Sequence, residues 1–99
     1  MLTLLAIKIE IFLKYLKRFM SIEDLATELD RFYQKGQARK ECNAFLLCFG
    51  IKYADFILRE KINCKDIVRK SSLANTTYDR EIYKGVKLAK YVLLRDDII

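Results

Sequence analysis

The chain has no proline, no histidine and no tryptophan, and only three glycines among its 99 residues. Each absence narrows what the protein can do. Without histidine, no side chain has an ordinary pKa near neutrality, so acid–base chemistry at pH 7 lacks its usual carrier. Three scattered glycines cannot build a phosphate-cradling loop. Cys42, Cys48 and Cys64 are odd in number, form no CxxC pair and have no histidine to complete a zinc site of common spacing. They read as buried apolar residues in a reducing compartment. Carboxylate pairs such as Glu23-Asp24 sit at helix starts, where capping accounts for them. No catalytic, metal or cofactor site assembles, so the chain reads as a binding or structural protein and not as an enzyme.

A long uncharged run is also lacking. Residues 2–20 are rich in apolar side chains, but Lys8, Glu10, Lys14, Lys17 and Arg18 interrupt them. No stretch reaches the ~18 residues a membrane-spanning helix needs. The order of charge and apolarity is also wrong for a secretory signal. A cytoplasmic protein is the expectation.

What the chain does have is apolar bulk and positive charge. Apolar residues make up 53% of it, enough for a real core in a single domain of this size. The net charge is +6. It comes from residues 52–95, while the remainder balances. Such a bias suits nucleic acid or another anionic surface, or serves only solubility.

With no proline to interrupt them, the apolar positions fall mostly at helical spacing. Leu2, Leu5, Ile9, Phe12, Leu16 and Phe19 recur at steps of three and four, predicting a long apolar helix over residues 1–20. The apolar arc is wide enough to be buried on two sides, either at the centre of the fold or against a second copy, and a homodimer interface through those six residues is the expectation. Residues 21–60 predict a helical pair. Ser21, with a carboxylate three residues on, is a helix start. Ile22, Leu25, Ala26, Leu29 and Phe32 form the inward stripe, and Gly36 is expected to cap the end near Lys35. Ala38–Leu58 reads as one long helix or two abutting ones. In it Ala44, Phe45, Leu47, Cys48, Ile51, Ala54, Phe56, Ile57 and Leu58 offer nearly continuous burial. Gly50 marks a close helix crossing or a bend. The segment from Gly50 to Leu58 is echoed by that from Gly85 to Leu93. Two diverged halves or chance would each explain the echo.

Residues 64–93 stand apart. Asp66, Ile67 and Val68 open a short helix, Ser71-Ser72 break it, and Leu73 is the apolar residue after the turn. Asn75-Thr76-Thr77 predict the start of a second helix, Asn75–Lys84, with Thr76 and Asp79 in capping-box spacing. This segment resembles the helix-turn-helix and winged-helix DNA-binding families. It departs from their pattern at Ser72, where a glycine is usual and a left-handed backbone would cost about 1 kcal/mol. It departs again at Glu81, where an apolar residue is usual. Helical spacing over most of residues 2–58 and the absence of proline predict a mainly α, compact helical domain, and the resemblance implies a helix-turn-helix-like C-terminal half. After Gly85 the chain reads either as further helix or as a short wing strand, with Val86, Leu88, Tyr91 and Val92 packed inward. Composition and size are also similar to those of small orphan proteins of crenarchaeal filamentous viruses. The Lys/Ile-rich, amide-poor composition fits a thermophilic source.

Two functional readings follow. In the first, the second helix enters the major groove of double-stranded DNA, as in a viral or archaeal transcription regulator. Asn75, Thr76, Thr77 and Arg80 would reach bases or nearby phosphates, and Arg69, Lys70, Lys84, Lys87 and Lys90 would hold the backbone. In the second, the chain is a structural or protein-interaction dimer built on residues 2–19. The two differ in whether the basic side chains share one face.

Overall fold

A computed structural model describes residues 20–98. The expected helix and dimer interface over residues 2–19 lie outside the described residues. The described residues form an all-α domain of four helices: α1 (Ile22–Arg39), α2 (Cys42–Arg59), α3 (Cys64–Lys70) and α4 (Asp79–Leu88).

Helix α1 starts where a capping box predicts it. The Asp24 N–H donates to the Ser21 hydroxyl at 3.1 Å, and the Ser21 N–H donates to the Asp24 carboxylate at 2.9 Å. Two of the four orphan N–H groups of the first turn are thereby satisfied. The far end corrects the sequence reading. The helix runs through Gly36 to Arg39, and Lys40 takes the left-handed cap at φ 56°. Gly36 is needed for proximity instead. A Cβ there would meet the Cys42 Cα at 2.9 Å and the Phe45 Cβ at 3.1 Å. The glycine lets α2 fold back tightly against the end of α1.

Helix α2 is one helix, not two, and it is central. Its fully buried Phe45, Leu46 and Phe49 pack with Leu25, Leu29 and Phe32 of α1, Ile67 of α3 and Ile82 of α4. Phe32 stands edge-on to Phe49 with ring centroids 5.8 Å apart. Each such side chain contributes roughly 1.5–3 kcal/mol on leaving water. The predicted burial along α2 needs correction at two places: Ala44 is exposed and Leu58 is 63% exposed.

Gly50 proves to mark a crossing. A Cβ on it would strike the Ile82 carbonyl oxygen and lie 3.0 Å from the Val86 N. A Cβ on Gly85 would strike the Leu47 carbonyl. Helices α2 and α4 therefore touch backbone to backbone at two glycines, which are the equivalent first residues of the sequence echo. Shared conformation extends only so far. Gly50–Leu58 is helical throughout, whereas the second segment leaves the helix after Leu88. The described residues contain no strand. Of the four side chains expected to pack inward there, only Val86 is buried; Leu88, Tyr91 and Val92 are exposed. In the tail past them Arg95 pairs with Asp97, and Ile98 packs against the core. No helix among the described residues is long and apolar enough to cross a membrane.

Candidate nucleic-acid interface

Helix α3 begins at Cys64, two residues before the expected start, with Asn63 as its cap accepting from the Lys65 N–H at 3.0 Å. Ile67 and Val68 turn inward, and Ser71 ends the helix with its hydroxyl donating to the Val68 carbonyl at 2.7 Å. The same hydroxyl accepts from the Leu73 N–H at 3.0 Å, and Leu73 is buried as the sequence predicts. One serine side chain thus turns the chain and leads it back into the core.

The turn differs from the expectation in length and in mechanism. Eight residues, 71–78, separate α3 from α4. Asn75, Thr76 and Thr77 belong to this connection and not to the first turn of a helix. Thr76 caps nothing with Asp79; its hydroxyl donates to the Leu73 carbonyl at 2.7 Å. Ser72 is not left-handed. Asn75 is, at φ 70°, and asparagine is among the side-chain-bearing residues that accept this conformation most readily. Ser72 has another task. Its N–H and hydroxyl both donate to the Asp30 carboxylate, at 3.0 and 2.6 Å, tying the turn to α1. Lys70 pairs with Glu23 on the same helix at 3.3 Å. Acids of α1 are therefore also clamps. Glu23 and Asp30 fix the end of α3 and its turn, while Glu28 binds Arg31 and accepts from the Tyr53 hydroxyl at 3.2 Å.

All nine side chains predicted to meet DNA are exposed. Five of them converge. Arg69, Asn75, Thr76, Thr77 and Arg80 line one groove of about 330 Å³ between α3 and the start of α4, together with Lys65, Val68 and Asp79. Arg69 lies 3.5 Å from Asp66, a loose and exposed pairing, and among the described residues Lys65 and Arg80 join no ion pair. The four others lie elsewhere. Lys70 points to α1, Lys84 pairs with Glu81 at 3.2 Å, and Lys87 and Lys90 border a separate groove beside Tyr83. Sequence reasoning missed Lys65. It stands one helical turn before Arg69 on the same face, and that spacing could have revealed it.

The chemistry of the groove is that of anion contact. It holds three cations, two hydroxyls and an amide against a single carboxylate, Asp79. That carboxylate sits in the first turn of α4, where the helix dipole favours it. Next to the groove, burial raises the Cys64 thiol to about 11, with the Asp79 charge adding to the shift, so it stays protonated and inert. Burial also raises Cys48, and no group of acids and cysteines among the described residues could hold a metal ion.

Residues 21–95 match the family described as HTH-like domain. The chain belongs to that family. The match takes in all four helices, so the HTH-like domain here is larger than the 64–93 segment that carries the resemblance in sequence. It speaks for the fold and not for the viral likeness drawn from composition. No curated protein and no solved structure matches the chain.

Proposed function

We propose that this HTH-like domain binds double-stranded DNA through the groove between α3 and the start of α4. One observation carries the reading: five residues expected at bases or phosphates, and a further cation, Lys65, line a single exposed groove. Arg69 and Lys65 are the phosphate contacts on α3. Arg80, the second residue of α4, and the amide and hydroxyls of Asn75, Thr76 and Thr77 face base edges. The contact is made by a loop and a helix start together, because the connection is twice the length of the usual three- to four-residue turn. The protein is on this reading a binding module, and regulation of transcription is the work that suits it. A homodimer through residues 2–19 belongs to the same reading, as the means to engage two half-sites.

Fluorescence anisotropy with a labelled duplex, from low to physiological salt, tests the proposal. Binding should weaken steeply with salt, with a log–log slope of about −0.9 per phosphate contacted. Absence of binding at low salt removes the DNA reading. Sedimentation at micromolar concentration checks the dimer separately.

A further inference from the structure

A second surface of the domain is built for a different occupant. Leu58 of α2 and Tyr83 of α4 are 63% and 54% exposed, a large apolar display for facing helices. They form a ridge between two grooves. The first, about 550 Å³, has Ile57, Ile62 and Val86 as its apolar wall and Lys61, Lys65 and Arg80 along its rim. The second, about 300 Å³, runs along the other side of the same ridge and carries Lys87 and Lys90. The Lys87 ammonium lies over the Tyr83 ring, 4.5 Å from its centroid, so a positive charge sits against the ridge itself. Five cations and two carboxylates, Asp55 and Asp79, surround the ridge.

We propose that this ridge and its grooves dock an acidic amphipathic helix of a partner protein, with apolar anchors on either side of Leu58 and Tyr83 and carboxylates against the lysine rim. An apolar stripe edged by one sign of charge is the complement of such a helix. Charge argues against the chain's own material. Residues 2–19 hold Lys8, Lys14, Lys17 and Arg18 against Glu10, and a second copy brings a net charge of +6 to a basic rim. A small molecule would fill one groove and leave the ridge uncovered. The larger groove shares Lys65, Asp79 and Arg80 with the DNA groove, but the proposal does not rest on DNA binding, since Leu58, Lys61 and Tyr83 lie outside that groove.

The test uses the full chain and a fluorescent synthetic helix of about four turns, with leucines along one face and glutamates beside them. A twin peptide carries lysines in place of the glutamates. The acidic peptide should bind, the basic twin at least about tenfold more weakly. Leu58→Asp should abolish binding, Tyr83→Ser should weaken it, and Lys61→Glu should weaken the acidic peptide while helping the twin. Circular dichroism confirms the fold of each variant, and Tyr83→Ser carries the test if Leu58→Asp fails to fold. Equal binding of both peptides, or indifference to Tyr83→Ser, overturns the proposal. So does a dimer that Leu58→Asp dissociates without peptide, which assigns the ridge to a second copy. Capture by phosphatidylserine vesicles with no affinity for the acidic peptide also overturns it, in favour of a lipid surface.

Discussion

Gly50 and Gly85 meet where α2 and α4 cross, and a Cβ on either would lie 3.1 Å from the other's Cα. The nearest obstacle in each case is a backbone carbonyl, of Ile82 for Gly50 and of Leu47 for Gly85, which cannot swing aside as a side chain could. Gly50→Ala or Gly85→Ala should therefore lower stability by about 3 kcal/mol, the upper end of ordinary overpacking. This loss should appear although alanine favours a helix by about 1 kcal/mol over glycine. Gly36→Ala, where the nearest atom is the Cys42 Cα at 2.9 Å, should cost less. Urea midpoints of the three variants check the order. Unchanged midpoints for Gly50→Ala and Gly85→Ala would mean that the helices stand further apart.

The bond of Ser72 to Asp30 joins positions 42 apart in sequence and holds the α3–α4 turn against α1. A hydrogen bond to a charged group contributes about 1.5–3 kcal/mol when shielded and less at an exposed site such as this one. A double-mutant cycle of Asp30→Ala and Ser72→Ala should return a coupling of about 1 kcal/mol. If the two substitutions are strictly additive, the Ser72–Asp30 bond does not hold the turn.

Asn75 separates the shape of the DNA groove from its chemistry. Asn75→Gly keeps the left-handed backbone and should leave thermal stability within about 0.5 kcal/mol, while removing the amide proposed to face DNA. Affinity for duplex should fall as stability holds. Arg80→Ala should cost on the order of 1–3 kcal/mol and relax preference at one base position. Arg69→Ala should weaken all sequences alike and make the salt slope shallower by about one. Salt titrations of the three variants on two unrelated duplexes distinguish these outcomes, and equal effects on every duplex would deny Arg80 a base.

Alkaline pH should loosen the fold through Tyr53. Burial, with the Glu28 carboxylate next to its hydroxyl, raises it from 10.0 to about 12. A group whose folded pKa is raised contributes stability that is complete below its unfolded value and is lost as pH rises through its folded value. Tyr53 should thus withdraw stability between about pH 10 and pH 12. Tyr53→Phe is less stable at neutral pH for want of the bond to Glu28, but should lose less on raising the pH. Parallel unfolding curves for the two proteins across that window would show that Tyr53 is not the responsible group. At the other end of the scale, the Arg31 hydrogen bond holds Glu28 below 4.5, so its contribution is present above that value and lost as pH falls through the lowered one.

Local pattern in the amino-acid sequence suffices for the helices and much of their core. Periodicity needs only local geometry, so the stripe of Leu25, Ala26, Leu29 and Phe32, the capping box at Ser21 and the burial of Ile67, Val68 and Leu73 are legible in the residues themselves. So is the choice of Arg69, Asn75, Thr76, Thr77 and Arg80 as candidates for DNA, because their residue types and nearness in sequence suffice. Whatever depends on a partner distant in the chain is settled by the packing of the helices. Gly36 is legible as a helix end but serves as a contact, since the proximity of Cys42 and Phe45 cannot be read from residues 30–40. Asn75, not Ser72, takes the left-handed position because Asp30, on another helix, holds Ser72 in place. Lys70, Lys84, Lys87 and Lys90 leave the candidate groove because their ion pairs or helix faces direct them elsewhere, and the sign of a charge says nothing about its direction. The exposure of Leu58, Tyr83 and Tyr91 is invisible in the sequence for the same reason. Hydrophobicity states what a side chain gains by burial, and only the packing of α2 against α4 determines which apolar residues find a place inside.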